Sequence, residues 1–297
     1  MGNNLNIIPW SDHSAYNHIV SIVNTSLNKY DEGKIIRILD VGFGSGKLLC
    51  QLLDYFNISR PALQFEVFGL DVFDAGVQDA GFMERTSNLL LNRHPEKDWH
   101  NKLFLISTKD KWPFENNSFD FILSNQVLEH IFNFDLFFNE IRRCLKIDGS
   151  SINLFPTREV LWEGHVHMPI VHKVRNEKLR SHIIFVLANL GFKKCYYFEM
   201  HRRGWKSIKE FATVFSNVLE TDTNYIAINQ LKNIARRNGL NISFTYTKDF
   251  YITKMLSLFG IKYSNYKNWG RMEGIICFFL KYISAITVNM IKDSSLD

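Results

Sequence analysis

Apolar residues along this chain of 297 amino acids occur in two kinds of segment. Short runs such as residues 35–39 are apolar on both faces, which is typical of buried strands in a parallel sheet. Longer stretches with apolar positions three or four residues apart predict amphipathic helices. The predicted strands lie at residues 35–39, 65–71, 103–106, 119–124, 151–155, 193–199 and 285–291. The predicted helices lie at residues 14–27, from 47 onward, and at 179–190, 208–219, 226–237, 247–258 and 274–282.

Alternation of these strands and helices predicts an α/β fold with a Rossmann-like, doubly wound, seven-stranded and mainly parallel sheet. We predict an N-terminal helical segment at residues 1–33 and the sheet domain at 34–199. A helical insertion between strands six and seven is predicted at 200–271, with a turn rich in Tyr, Trp and Asn at 263–269. Residues 272–297 are predicted to close the sheet with a helix and a strand. Ligands of open α/β sheets lie beyond the carboxyl ends of the strands, so we place the insertion on the substrate side.

The first predicted strand ends in an acid and a glycine-rich turn. Asp40 is followed by Gly42, Gly44 and Gly46, and a helix is predicted from Lys47. Glycine is required where the backbone has a positive φ or where a ligand comes close to the main chain. A dinucleotide fingerprint would need glycine at position 47, and a phosphate loop would need glycine at 41 and Ser or Thr at 48. Both patterns fail, which leaves a nucleotide-like cofactor of another class.

Further motifs follow this turn. The second strand ends at Asp71, where a carboxylate is well placed to accept hydrogen bonds from ribose hydroxyls. Residues 112–130 contain a Trp-Pro-Phe loop, a Phe-Asp strand and a Leu-Glu-His turn. Residues 140–149 continue as a basic helix that ends in glycine. Over about residues 35–156 the sequence resembles the methyltransferase type 11 domain family of the class I S-adenosylmethionine-dependent methyltransferases.

The resemblance implies that S-adenosylmethionine is the cofactor. The residues implied to bind it are Asp40, Gly42, Gly44, Gly46, Asp71, Val72, Thr108, Asp110, Asn125 and Gln126. The family usually has an acid about five residues before the Pro of the Pro-Phe loop, where it holds the adenine amino group. This chain has Thr108 at that position and Asp110 as the nearest acid. The adenine contact therefore stays open between Asp110, Thr108 and Ser107.

Three histidines follow the fifth strand and are candidate catalytic residues. His165, His167 and His172 lie within eight residues, at the rim where an acceptor would enter. A His-x-His pair in extended chain puts both rings on one face. Because a sugar or aliphatic hydroxyl needs a base to remove its proton, we predict that one histidine is that base, with His165 or His167 ahead of His172. A zinc or magnesium site and purely structural hydrogen bonding are the alternatives.

Three other residues are predicted to contact the substrate, namely Glu129, His130 and Trp162. Some members of the family bind magnesium through a Glu-x-x-Glu-His turn at the end of the fourth strand. This chain has Gln126 in place of the first Glu, which removes one anionic ligand. We therefore predict no metal.

Composition and charge limit the class of partner. Hydrophobic residues make up 46% of the chain, which is typical of a folded protein. The net charge of +5 is scattered apart from clusters at 202–206 and 236–237, which argues against nucleic acid. Residues 272–291 are mostly apolar, but Glu273 and Lys281 interrupt them, which favours a helix and a strand over a membrane span. A role at a membrane surface is the lesser alternative.

The four cysteines lie far apart and have no C-x-x-C spacing, which indicates reduced thiols and predicts a cytoplasmic protein. The first residues lack the pattern of a signal peptide. The predicted function is transfer of a methyl group from S-adenosylmethionine to a small-molecule or saccharide acceptor, at a hydroxyl oxygen. An RNA- or tRNA-modifying methyltransferase and a non-catalytic binding module with the same fold are the alternatives.

Overall fold

The computed structural model describes residues 13–75, 81–203, 207–262 and 270–295. The main-sheet strands are β1 (Ile35–Val41), β2 (Gln64–Val72), β3 (Leu103–Ile106), β4 (Phe119–Asn125), β5 (Leu145–Pro156), β8 (Leu240–Ser243) and β9 (Ala285–Lys292); β6 (Trp162–Glu163) and β7 (Met168–Pro169) form a separate hairpin. The helices are α1 (Ser14–Ser26), α2 (Lys47–Ser59), α3 (Phe82–Arg93), α4 (Phe134–Cys144), α5 (Glu177–Asn189), α6 (Lys194–Arg203), α7 (Ile208–Thr221), α8 (Ile228–Arg237), α9 (Thr247–Ser257) and α10 (Arg271–Leu280). The predicted turn at 263–269 lies outside the described residues.

The main sheet has seven strands in the order β3-β2-β1-β4-β5-β9-β8. Strands β1 to β5 are parallel to one another, whereas β9 runs antiparallel to both β5 and β8. In the register of β1 and β2, Asp40 lies opposite Gly69 and Val41 opposite Leu70. The glycine turn after β1 and the acid Asp71 therefore meet at the carboxyl edge of the sheet, where ligands of such folds bind. The predicted seven-stranded, mainly parallel sheet is confirmed.

Apolar residues of the strands point to the two faces of the sheet and build a core on each side. Ile36 and Ile38 of β1 pack with residues of α1 and α2, whereas Leu39 and Val41 pack with residues of α4 and α8. Large side chains in these cores, including Phe56, Phe119, Phe121 and Phe138, are fully buried. Burial of each such ring contributes about 1.5–3 kcal/mol to stability, so the two cores hold the carboxyl edge of the sheet in place.

A helical lobe lies between β5 and β8 and has a small core of its own. Its core residues come from the β6–β7 hairpin and from helices α5, α6 and α7. Inside it, the buried Arg180 donates to the carbonyl of Ser216 and to Oε2 of Glu220, both at 2.8 Å. This ion pair fixes α5 against α7, and with them the hairpin that follows β5.

The sixth strand is not where the sequence predicts it. Residues 194–203, within and beyond the predicted strand at 193–199, form helix α6, and the strand beside β9 is β8 at Leu240–Ser243. The aromatic run that suggested a strand instead buries Cys195 in the core of the lobe, where Tyr196 contacts the ring of Phe211. Helices α5 to α8 therefore precede the sixth strand of the sheet, and α9 and α10 are the described α-helices between the sixth and seventh strands.

Two motif residues hold the amino end of the sheet together. The buried Asp120 accepts hydrogen bonds through Oδ2 from the backbone N–H of Arg37 in β1, at 2.9 Å, and from Nζ of Lys146 in β5, at 2.7 Å. The buried Glu140 on α4 accepts from the backbone N–H of Trp112 at 2.7 Å. Arg143 donates to the carbonyl of Trp112 at 2.9 Å. The acid of the Phe-Asp strand and the basic helix are thus structural parts that order the strands and the Pro-Phe loop.

The C-terminal segment has the predicted helix and strand, α10 and β9. In the part of the chain that the structure describes, no helix is both long and apolar enough to cross a bilayer.

Candidate functional site

The glycine turn has the backbone conformation that its sequence predicts. Gly42, Gly44 and Gly46 have φ values of +72°, +47° and +71°, in the left-handed region that favours glycine. Gly46 is the N-cap of α2, and the N–H of Gly42 donates to the carbonyl of Leu70 at 2.7 Å. A Cβ atom on Gly42 would overlap the Cγ2 methyl group of Val127. The turn therefore lies directly against the segment that follows β4.

Asp71 holds this turn in place. Its Oδ2 accepts a hydrogen bond from the N–H of Gly44 and its Oδ1 accepts one from the N–H of Val72, both at 2.9 Å. Thr86 on α3, which sequence reasoning missed, donates its hydroxyl to the carbonyl of Gly44 at 2.7 Å. Each carboxylate oxygen keeps a further lone pair for a ligand hydroxyl.

Asp71 and Asp40, the two acids beside the glycine turn, differ in their burial and in their hydrogen-bond partners. Burial raises the pKa of Asp71, although hydrogen bonds from Gly44 and Val72 oppose that shift. Asp40 is buried beside it, and burial together with the charge of Asp71 raises the pKa of Asp40 well above its ordinary value. The negative charge of Asp71 therefore favours the protonated form of Asp40.

The loop after β3, which contains Thr108 and Asp110, is held by an acid that the sequence did not single out. Asp74 follows β2, and its carboxylate accepts from the hydroxyl of Ser107 at 2.5 Å and from the backbone N–H of Thr108 at 2.8 Å. These hydrogen bonds, that of the Ser107 hydroxyl first, lower the pKa of Asp74. Asp110 accepts from the backbone N–H of Ser107 at 2.8 Å. Thr108 and Asp110 thus shape the loop, and Asp74 joins it to the end of β2.

The end of β4 presents polar atoms that the protein leaves unsatisfied. Oδ1 of Asn125 is buried and has no hydrogen-bond partner. The next residue, Gln126, has a positive φ of +57°, which is uncommon for a residue with a side chain. Its N–H donates to the carbonyl of Leu154 at 2.8 Å, which holds this conformation. Because an orphaned buried acceptor costs about 1–3 kcal/mol, the residues at this rim fit a polar cofactor that donates to Asn125.

A second polar cluster follows β4 and joins the β6–β7 hairpin. It contains Glu129, His130, Glu163, His165 and Tyr225. Nδ1 of His165 lies 2.7 Å from Oε1 of Glu163 and 3.0 Å from the hydroxyl of Tyr225. The Tyr225 hydroxyl donates to the same Glu163 oxygen at 2.6 Å, and the backbone N–H of Val166 donates to Oε2 at 2.5 Å. The ring of His130 meets that of His165 edge-on, with centroids 5.3 Å apart.

These contacts set the protonation states of the Glu163–His165 pair. Burial alone would raise the pKa of Glu163, but the hydrogen bond and charge of His165, with the Tyr225 hydroxyl, lower it to about 2. Burial acts to lower the pKa of His165, yet the hydrogen bond to Glu163 and the charges of Glu163 and Glu129 outweigh burial and raise it. Glu163 is therefore anionic, and it fixes the proton of the neutral His165 on Nδ1.

The pKa shifts of Glu129 and His130 are opposite in direction to those of Glu163 and His165. Glu129 is almost completely buried, which raises its pKa to about 8, and its Oε2 atom has no hydrogen-bond partner. Burial lowers the pKa of His130, whose Nδ1 lies 2.6 Å from the carbonyl of Asp222 and so carries the hydrogen in the neutral ring. At neutral pH the cluster holds a protonated carboxyl group and a neutral histidine, both able to exchange hydrogen bonds with an acceptor.

The three predicted histidines do not act as one group. Residues 164–167 form the turn between β6 and β7, so His165 and His167 are not in extended chain, and the prediction that their rings share one face is wrong. His167 is exposed and has a φ of +55°. His172 lies against Tyr225, with ring centroids 4.8 Å apart, and burial lowers its pKa. Trp162 is exposed on the hairpin and contacts the ring of Phe192.

Sequence reasoning missed Glu163 and Tyr225. Glu163 could have been found from its position two residues before His165, at the end of the short strand β6, which one turn separates from Met168. Tyr225 could not, because it lies 62 residues from Glu163 in sequence and reaches the cluster only through the lobe. The backbone N–H of its neighbour Asn224 donates to the carbonyl of Glu129 at 2.6 Å, which ties this segment to the end of β4.

Two further groups of residues bear on metal and nucleic-acid binding. Among the described residues, no three His, Cys, Asp or Glu side chains are arranged to hold a metal ion. Arg237 of the second basic cluster forms an ion pair with Asp135. Lys206 and the side chains of Arg202 and Arg203 lie outside the described part of the chain.

Comparison with known proteins gives a family for the sheet domain. Residues 39–152 match a family model described as a methyltransferase domain. No curated protein sequence matches the chain. The matched segment runs from β1 into β5 and contains the glycine turn, Asp71, Asn125 and Glu129.

Solved structures similar to this chain include three that differ in size and name. PKMT2 from Rickettsia typhi is 13% identical, with 96% of this chain and 54% of that one covered and a TM-score of 0.49. The YcgJ protein from Bacillus subtilis is 14% identical, with 93% and 98% covered and a TM-score of 0.44. Phosphoethanolamine N-methyltransferase 2 from Haemonchus contortus, in complex with S-adenosyl-L-methionine, is 15% identical, with 90% and 50% covered and a TM-score of 0.43.

This chain spans about half the length of the first and third of these structures. At such low identities and scores, the likenesses indicate neither an acceptor nor the atom that is methylated. The family match rests instead on the sequence of residues 39–152, which form the centre of the seven-stranded sheet. Residues 39–152, which are less than half of this chain, thus match the methyltransferase domain family in sequence.

Proposed function

We propose that this chain transfers a methyl group to a hydroxyl oxygen of a small-molecule or saccharide acceptor, with His165 as the general base. The observation that carries the proposal is the buried Glu163, whose Oε1 lies 2.7 Å from Nδ1 of His165. A carboxylate in this position fixes the ring and its tautomer, so that Nε2 is the nitrogen that accepts a proton. A hydroxyl acceptor needs such a base, because its own pKa is far above neutral.

The cofactor-binding part of the proposal assigns each contact to a group of this chain. The backbone of Gly42, Gly44 and Gly46 would border the methionine and ribose, with a lone pair of Asp71 for a ribose hydroxyl. Asn125 would accept a hydrogen bond through its orphaned Oδ1 atom. Asp74, through Ser107 and Thr108, would shape the adenine side. When bound, S-adenosylmethionine supplies a methyl group already activated by its sulfonium.

The acceptor-side residues have complementary roles. Nε2 of neutral His165 would take the hydroxyl proton, and Glu163 would stabilise the resulting imidazolium, as its lowered pKa allows. Glu129, protonated at neutral pH, would donate a hydrogen bond to the acceptor and orient it. Tyr225 holds Glu163 through a 2.6 Å hydrogen bond and is a positioning residue.

The test compares two histidines of the same hairpin. Radiolabelled methyl transfer from S-adenosylmethionine is measured across a panel of monosaccharides, disaccharides and small alcohols. His165→Ala should lower turnover by about 10²–10⁴-fold, while His167→Ala, at an exposed turn position, should keep the activity of the unchanged protein. Calorimetry should give the same cofactor affinity for all three. Equal activity of both variants would remove His165 from the mechanism, and absence of cofactor binding by the unchanged protein would refute the proposed function itself.

A further inference from the structure

Helices α9 and α10 bury charged residues where they contact each other. Lys248 and Asp249 on α9 and Glu273 on α10 are all buried. Nζ of Lys248 lies 2.7 Å from Oδ2 of Asp249 and 3.3 Å from Oε1 of Glu273. The charges that usually face solvent on a surface helix are therefore used inside, as an ion-paired contact between the two helices.

The exposed residues of α10 that the structure describes carry no polar side chain. Four of them are large, namely Met272, Ile275, Phe278 and Phe279, and Met255 on α9 and Leu258 and Phe259 just beyond α9 are exposed as well. Leu258 is 81% exposed and Phe279 is 63% exposed. Met272, Ile275 and Phe279 are three and four residues apart, so they form one stripe along α10. We call the four large exposed residues of α10 the apolar outer surface.

The apolar outer surface has a fixed shape and position. The hydroxyl of Tyr251 on α9 donates to the carbonyl of Leu280 at 3.0 Å, which joins α9 to the end of α10. Beyond α10, the carbonyl of Tyr282 accepts from the N–H of Leu161 at 2.8 Å. Leu161 is exposed and lies two residues before Glu163. The surface thus borders the hairpin that carries Glu163 and His165.

Among the charged residues of 247–262 and 270–283 whose side chains the structure describes, those that are not buried are all lysines. Lys254 and Lys262 are exposed, and Nζ of Lys281 lies 4.5 Å from the centre of the Phe278 ring. The acid Glu273 faces inward and is paired with Lys248. Apolar and aromatic residues bordered by lysine are the pattern of a helix that lies in the interface of a membrane with anionic lipids. Two copies of the chain would bring these lysines together, which disfavours self-association through this face.

We propose that the apolar outer surface binds the surface of an anionic lipid bilayer, with Phe278, Phe279 and Ile275 entering the headgroup region and the lysines contacting lipid phosphates. Contiguous exposed apolar surface of this kind marks an interaction site in proteins of ordinary solubility. The bilayer would then lie beside the Glu163–His165 hairpin, where an acceptor presented at a membrane could enter. This inference concerns binding and stands whether or not His165 is the base.

The first experiment measures co-sedimentation of the full chain with phosphatidylcholine vesicles, with and without phosphatidylglycerol. We expect binding to the anionic vesicles that weakens with salt, and at least tenfold weaker binding to pure phosphatidylcholine. The double variant Phe278→Ser, Phe279→Ser should lose about tenfold or more in vesicle affinity. Ile147→Ser, which changes an apolar residue of 61% exposure at the other end of the sheet, should lose none.

A second measurement does not depend on the double serine variant. All four native cysteines are buried, so an environment-sensitive dye can be attached at Ile275→Cys and, as a control, at Ile147→Cys. Anionic vesicles should shift the emission of the first dye to the blue and leave the second unchanged. The proposal is overturned by an absence of vesicle binding, by equal shifts of both dyes, or by sedimentation velocity showing a dimer that the Phe278→Ser, Phe279→Ser change dissociates.

Discussion

The side-chain oxygens of Asp120, at the amino end of the sheet, and of Asn125 and Glu129, at the carboxyl end, differ in their hydrogen bonding. At the amino end, the carboxylate of Asp120 accepts hydrogen bonds from the Arg37 backbone and from Lys146, both within 3 Å. At the carboxyl end, Oδ1 of Asn125 and Oε2 of Glu129 are buried without a partner. Both ends are built from the same strands, so the difference lies in what the following segments supply.

This difference separates structural from functional polar residues. A buried polar group without a partner lowers stability by about 1–3 kcal/mol, and a protein retains that loss where a ligand supplies the missing partner. The backbone shows the same contrast. Gln126, beside Asn125, has a positive φ of +57°, and Gly42 is held against Val127. Amino-end changes should therefore alter stability alone, whereas carboxyl-end changes should alter ligand binding and turnover as well.

The largest expected effect compares the two buried carboxylates, Glu163 and Asp120. Glu163→Gln removes the charge that raises the pKa of His165 and leaves burial, which lowers it. Turnover should fall by about 10²–10⁴-fold, the range for an impaired general base. In the unchanged protein turnover should rise with pH through a midpoint above 6.5, because only neutral His165 accepts a proton, and in Glu163→Gln that midpoint should move to lower pH. Asp120→Asn should cost about 1–3 kcal/mol of stability and leave the midpoint in place. A midpoint that Glu163→Gln does not move would contradict the role of the pair.

The next effect compares two glycines of left-handed conformation. Gly33 before β1 has a φ of +77° and open space where a Cβ would lie, whereas a Cβ on Gly42 would overlap Val127. Gly33→Ala should lower the free energy of unfolding by about 1–2 kcal/mol, the cost of the left-handed conformation. Gly42→Ala should lower it by about 2–5 kcal/mol, since overpacking adds to that cost.

Urea unfolding and calorimetry with S-adenosylmethionine measure both glycine variants. Only Gly42→Ala should weaken cofactor binding, and the added change Val127→Ala should restore part of it by removing the overlap. Equal cofactor affinity in Gly33→Ala and Gly42→Ala would show that the turn does not border the cofactor.

The last prediction concerns the unpaired carboxyl group of Glu129. Its pKa in the folded protein is about 8, above the ordinary value of 4.5, so the folded state binds this proton more tightly than the unfolded chain. Its contribution to stability is fully present below about pH 4.5 and is lost as the pH rises through about 8, by up to ~1.4 kcal/mol per pH unit. Glu129→Gln removes the titratable carboxyl group and serves as the reference. The stability of the unchanged protein minus that of Glu129→Gln, measured by urea unfolding, should therefore decrease from pH 5 to pH 8. A constant difference would mean that Glu129 is ionised in the folded state.

Much of the nucleotide side of the molecule was predictable from sequence. The strand, acid and glycine pattern at 35–46 is local, and each glycine has the positive φ expected of it. The sixth strand was not predictable in this way, because residues 193–199 have the composition of a strand but bury Cys195 in the lobe. The strand that pairs with β9 at the edge of the sheet is β8, Leu240–Ser243, whose four residues have only a weak strand pattern in sequence.

The sequence by itself determined the alternation of strands and helices, the glycine turn, Asp71 and the end of β4, because each depends on neighbours close along the chain. Only the tertiary structure decided which histidine is held by a carboxylate. His165 and His167 are equivalent in sequence, but the hairpin turn exposes one and directs the other to Glu163 and to Tyr225, 60 residues away. Tertiary structure also decided that the charged residues Lys248, Asp249 and Glu273 are buried, because they pair only once α9 and α10 pack together.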